Sequence, residues 1–461
     1  MKKSFYKPGR LYFFPAFLPL IELVPWLITL VGVVTGAASF SLLGFLGTYK
    51  KPLIGLSVLC FGAVATISMN TAFSDNIGQK GAVLVNPADF PVATLYPNPK
   101  ALNTITASTF QKTWALKTDH QILSAPVIQG GLLIYGSYKG SVEAVSLQGD
   151  HIWSLPLKTY ATSLSSDQDG NIYVGEGLHE TKLATLTSFN VTTRTVNWQR
   201  QFTGHIESHP VIDAARNHIW MSAGPGGLWS LDKDDATVHQ HVSFGHIDSK
   251  PLILNNRVYI QAQENENINL TTLFAFNEED GEIIWQLDLP GQPWGSALRH
   301  KNGKAILTTT GLGQIGVQKQ TDKGWAYSIS LDGTIIWQKA LPGMALQPGI
   351  YLPKYDLIIH TLKSGEIIAL DATKGTTKWH VRAGESFMAT SILIDLEVPM
   401  IASISNDGRF TIRDARTGRG IMNNTVGKNS SSAPIVQGDT IYVLSAYEIQ
   451  AYGGLQSLVE H

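Results

Sequence analysis

The chain of 461 residues carries 35 basic and 36 acidic side chains, 15% charged residues in all, with 43 glycines and one cysteine. That composition excludes charge-driven disorder, a disulfide framework and a thiolate metal cluster. Six of the basic residues fall within positions 1–51 beside a single acid, Glu22, which leaves 29 basic and 35 acidic side chains in the remainder, a surface unsuited to nucleic acid.

The first 73 residues read as a membrane anchor. Between Leu11 and Gly47 the only ionisable side chain is Glu22, and Leu23 to Leu46 gives 24 residues, enough to cross a hydrocarbon core of about 30 Å at 1.5 Å per residue. A second apolar run, Leu53 to Met69 and extendable to residue 72, gives a second span and contains the lone cysteine, Cys60. Lys50 and Lys51 lie between the two and place everything after residue 73 outside the cell membrane by the positive-inside rule, on the periplasmic side of an inner membrane. Lys2, Lys3, Lys7 and Arg10 also favour the inside. Both preferences hold together only if residues 11–47 cross twice; otherwise residues 11–22, broken by Pro15 and Pro19, lie in the interface and the tail is translocated.

Residues 74–110 read as a linker. Val85 to Lys100 holds four prolines, which disfavour helix and give an extended spacer. From Gln111 the pattern changes to short apolar runs punctuated by Gly, Asn and Asp, the signature of many short strands.

Those strands repeat. "DGEIIWQLDLPG" at 280–291 returns as "DGTIIWQKALPG" at 332–343, and the same turn-then-Trp phrase ends at Trp153, Trp198, Trp285, Trp337 and Trp379. Met422 and His239 take the Trp position in two further copies. A second signature, seen as "SAPVIQGGLLIYG" from Ser124 and "SAPIVQGDTIYVLS" from Ser432, begins units near 124, 162, 208, 249, 296, 347, 391 and 432. Eight starts at intervals of 38 to 51 residues predict eight four-stranded blades over 111–455, followed by a short tail at 456–461. The last unit lacks its Trp-bearing strand. "FQKTWALKTD" at 110–119 has Trp114 and no strands before it, so it is expected to complete the last blade and close the ring.

The pattern A-x-D-x-x-x-G-x-x-x-W, written here from Ala369 to Trp379, resembles the pyrroloquinoline quinone (PQQ) repeat family, which includes quinoprotein dehydrogenases and the outer-membrane assembly lipoprotein BamB. The resemblance covers residues 111–455 and implies an all-β, eight-bladed propeller. For enzymatic members it implies PQQ held with Ca²⁺, in many of them beneath a vicinal Cys pair. One cysteine, in an expected membrane span, excludes that pair. Compact blades without long inserted loops favour the non-enzymatic, BamB-like reading: no cofactor, and a scaffold that binds other envelope proteins. The alternatives are a membrane-bound PQQ dehydrogenase and a ligand-sensing propeller.

Site candidates lie in the loops that join blades. "FTGHIESHP" at 202–210 and "FGHIDSKP" at 244–251 offer His, Ile, acid and Ser in register, so His205 with Glu207 and His246 with Asp248 are expected side by side, joined by His120 from one position out of register. Imidazole plus carboxylate on converging loops suits a divalent metal, a polar ligand or a pH-responsive partner contact; spacing alone assigns no metal ligand set. Trp294, in the loop straight after the first "LPG", joins the same mouth.

Overall fold

A computed structural model describes residues 82–96, 109–264, 269–313 and 322–459. The two expected membrane spans lie outside the described residues. Among the described residues no helix is long and apolar enough to cross a membrane.

Eight antiparallel sheets follow one another along the chain and form an eight-bladed propeller. Each blade is a meander whose first strand lies innermost; blade 2, for example, runs Ala161–Ser166, Asn171–Glu176, Leu183–Asn190 and Thr195–Thr203. Blade 8 has three strands after residue 432, and Gln111–Lys117 pairs with Glu448–Gly453 to supply the fourth. The ring therefore closes with a strand from its own beginning, as the sequence predicts.

The repeat motif has a physical explanation residue by residue. In blade 6, Ala369 lies directly across the strand pair from Trp379, where a small side chain leaves room for the indole, and the register slips by one residue immediately after it. Asp371 then caps the turn, accepting from the backbone N–H of Thr373 at 3.1 Å and Lys374 at 2.8 Å. Gly375 sits at φ +69° against the preceding blade's Trp337, where a Cβ would come within 2.7 Å of the ring. Trp337 Nε1 donates to the Ala372 carbonyl of that same turn at 2.9 Å. Trp114, Trp198, Trp285, Trp337 and Trp379 each hydrogen-bond in this way to a turn carbonyl of the next blade, whereas the buried Trp153 indole N–H has no such partner. The twice-written phrase interlocks with itself: Trp285 of the first copy donates to the Leu331 carbonyl at 2.9 Å and packs on Gly333 of the second.

Two details depart from the sequence reading. Register in blade 3 sets Gln240, not His239, opposite the small residue Ser230, and it is Gln240 that meets the turn glycine Gly281 of blade 4. Within the stretch read as a spacer, Ala82–Leu84 pairs with the outer strand of blade 2 and Thr94–Leu95 with the outer strand of blade 1. Four prolines do not prevent this, because both additions are short edge strands whose outer N–H groups need no partner.

Candidate functional site

In each blade the connection to the next blade and the loop between the second and third strands emerge at the same mouth of the central channel. The two in-register loops are built around isoleucines. Ile206 is fully buried and its N–H donates to the Glu176 carbonyl at 3.0 Å, while Thr162 Oγ1 and Ser163 Oγ donate to its carbonyl at 2.8 and 3.1 Å. Ile247 is equally buried and exchanges both backbone bonds with Gly224 at 3.0 and 3.1 Å. Burying the central Ile of each H-I-acid-S run leaves the flanking His and carboxylate to face one another across the blade boundary.

Asp248 is the hub. Its Oδ1 accepts from His205 Nε2 at 3.0 Å and its Oδ2 from His246 Nε2 at 2.8 Å. Burial alone would raise the Asp248 carboxyl, but the two imidazole hydrogen bonds outweigh it and hold the group well below the usual carboxylate range. Glu207 stands beside it, 3.9 Å from His205 Nε2 and 3.6 Å from Nδ1 of a third imidazole, His179. The neighbouring Glu207 carboxylate raises the pKa of His179 against partial burial. Ring centroids of His179, His205 and His246 lie 4.7, 5.0 and 5.2 Å apart. His205 is packed against the Gly224 backbone, where a Cβ would come within 2.5 Å of the ring, and its Nδ1 is buried without a hydrogen-bond partner.

The structure thus joins His205, Glu207, His246 and Asp248 as the sequence predicts and adds His179, which the sequence reading missed. His179 comes from the turn after the second strand of blade 2, held by Leu178 N–H to Thr181 Oγ1 at 3.0 Å. That loop has no counterpart repeated in register, so only its proximity in space could reveal it. His120 does not join the cluster. It is exposed and lines a separate cavity of about 220 Å³ with Tyr96, Glu143 and His151, because its connection leads into blade 1, on the far side of blade 2. Trp294 lines the channel mouth together with Glu207 and Asp248. The six blade tryptophans are structural, as expected, though only Trp153, Trp198 and Trp379 are buried; Trp114, Trp285 and Trp337 are half-buried.

The channel cavity, about 380 Å³, takes side chains from every blade connection, among them Thr162, His209, Lys250, Pro348 and Ala433. His209 Nδ1 donates to the Leu164 carbonyl at 2.6 Å, and burial pushes its pKa down to about 4, so it is neutral. Burial likewise pushes the Lys250 amine down to about 8. PQQ is a tricarboxylate. Among the described residues lining this cavity, Lys250 is the one cation it would meet, against two carboxylates that are themselves engaged by imidazoles. A Ca²⁺ companion needs six to eight oxygens. The lining does not fit that cofactor.

Residues 139–330 and 271–453 match the protein family described as outer membrane protein assembly factor BamB. Among solved structures, BamB from Moraxella catarrhalis is similar at 15% identity, covering 75% of this chain and all of that one, with a TM-score of 0.53. A europium-containing methanol dehydrogenase matches at 12% identity over 76% of this chain and 95% of that one, TM-score 0.55. The quinohemoprotein alcohol dehydrogenase from Comamonas testosteroni matches at 12% identity over 77% and 78%, TM-score 0.57. At these identities the structures share the fold. No curated protein matches the chain.

Proposed function

The chain belongs to the family described as outer membrane protein assembly factor BamB, and from that premise we propose that it is a membrane-anchored, periplasmic propeller acting as a non-catalytic scaffold that docks proteins of an envelope complex at its channel mouth. The apolar runs at 23–46 and 53–72 with Lys50 and Lys51 between them support the anchor and its orientation.

The observation that carries the docking reading is an aromatic rim. Tyr138 is 46% exposed and stacks on Tyr160 at 4.4 Å, and Tyr447 is 56% exposed. All three stand in loops of this mouth. Residues 118–122 link them, donating from Thr118 N–H to the Tyr447 carbonyl at 2.9 Å and accepting from Tyr138 N–H on the Gln121 carbonyl at 2.8 Å. Rigid amphipathic rings on hydrogen-bonded loops give contact area at little entropic cost, which is why tyrosine is enriched in protein interfaces.

The test is mild detergent purification of the full chain with identification of what co-purifies. Wild-type protein should retain envelope proteins, and a Tyr138→Ala, Tyr447→Ala variant with unchanged Tm should release them. A preparation that carries bound quinone and oxidises an alcohol would overturn the scaffold reading.

A further inference from the structure

We infer that His179, His205, His246 and Asp248 form a binding site for a divalent transition-metal ion of the zinc class, placed where the blade 2 to 3 and blade 3 to 4 connections meet. One ligand atom from each of the four residues lies within 4.8 Å of the other three. Three imidazoles and one carboxylate make a borderline N/O donor set, suited to Zn²⁺ and not to the all-oxygen preference of Ca²⁺ or Mg²⁺.

Geometry favours the same ion. A tetrahedral Zn²⁺ with ligands at about 2.0–2.1 Å holds its donors about 3.3 Å apart. The Asp248 contacts to His205 and His246, at 3.0 and 2.8 Å, are already that close. All four donors lie within 4.8 Å of one another, and closing to tetrahedral spacing is easiest for His179, whose side chain is 61% exposed on a short turn. His205 and Asp248 are immobile by contrast: the first is fully buried against Gly224, the second is fixed by both imidazoles.

His205 Nε2 and His246 Nε2 converge on the two oxygens of one carboxylate, Asp248, at 3.0 and 2.8 Å, and His205 is held there by its burial against Gly224. An ion at that point takes the Nε2 lone pair of both imidazoles as their protons are released. Glu207, 3.6 Å from His179 Nδ1, is placed to accept that ring N–H when His179 coordinates through Nε2. Occupancy would staple two neighbouring blade connections and fix the surface they present at the mouth, whether or not a protein docks there.

The full chain in detergent, stripped with chelator, provides the test. Titration with Zn²⁺ against a chromophoric chelator should give one tight site per chain, and Co²⁺ should produce the intense visible bands of a four-coordinate ion. His179→Ala and His246→Ala should each weaken Zn²⁺ by more than about 100-fold, the loss that removing even an outer partner of a ligand can reach. Their Tm values in chelator should match wild type, which separates lost binding from lost folding. His179→Cys should keep the site and add a sulfur-to-cobalt charge-transfer band. The inference fails if no stoichiometric site appears, if His179→Ala and His246→Ala bind Zn²⁺ like wild type, or if bound Co²⁺ stays pale and six-coordinate.

Discussion

Replacing Gly375 by alanine tests the inter-blade joint where a turn glycine meets the neighbouring blade's indole. The residue stands at φ +69°, and its new Cβ would lie 2.7 Å from Cδ2 and 2.8 Å from Cε3 of Trp337. Two costs add: backbone strain of about 1–2 kcal/mol for a non-glycine residue in the left-handed region, and overpacking of about 1–3 kcal/mol. Gly438→Ala separates them, because Gly438 has φ +59° and nothing within 4 Å of the added carbon. Urea unfolding followed by tryptophan fluorescence should give Gly375→Ala a loss about 1–3 kcal/mol larger than Gly438→Ala. In a Trp337→Ala background the difference should largely vanish, a coupling that a double-mutant cycle reads directly. Equal losses at the two glycines, or a penalty at 375 unchanged without the indole, would refute the claim that the turn glycine exists to receive the neighbour's ring.

Two further outcomes follow from buried charge. Glu176 is fully buried with Oε1 unpartnered, and burial pushes its carboxyl up to about 7 against hydrogen bonds from Thr159 and Lys158. A raised acid binds its proton more tightly in the folded state, so the stability it contributes is complete below about pH 4.5 and is lost as pH rises through 7. Glu176→Gln should therefore gain on wild type across that window, by about 3 kcal/mol at most from 1.36 kcal/mol per pH unit, and a flat difference between pH 4 and 8 would contradict the burial argument. Lys363 Nζ donates to Asp322 Oδ2 at 3.0 Å with both side chains 2% exposed; Lys363→Met alone should cost about 3–5 kcal/mol, and Asp322→Leu added to it should recover part of that loss, as measured by denaturant midpoints.

The propeller was legible in the sequence because its joint is local. A-x-D-x-x-x-G-x-x-x-W spans one hairpin, and every position answers to a contact: Ala369 to the Trp379 across from it, Asp371 to its own turn, Gly375 to the previous blade. Where the local phrase weakened, reading by spacing slipped by one, and Gln240 replaced His239 at the joint. The cluster was half legible for the same reason. His205, Glu207, His246 and Asp248 sit on a repeated loop, whereas His179 sits on a loop without a repeat, and His120 shares the residue type but leads into another blade. The edge strands at Ala82–Leu84 and Thr94–Leu95 were hidden because two or three residues pairing with a finished sheet need no hydrophobic pattern of their own.

Ring closure by Gln111–Lys117 also sets a timetable for the growing chain. Thr113 Oγ1 donates to the carbonyl of Ala451, 338 residues later. At about 5–20 residues per second, synthesis separates these partners by roughly 20–70 s. For that interval the first strand of the ring has no sheet to join, and blade 8 ends in an unpaired edge until it does. Lys112 and Lys117, at the two ends of the waiting strand, disfavour its pairing with the wrong chain. The last blade made is thus the one whose completion waits on the first strand of the ring, and anything that delays or occupies residues 111–117 acts on the molecule's final folding step rather than its first.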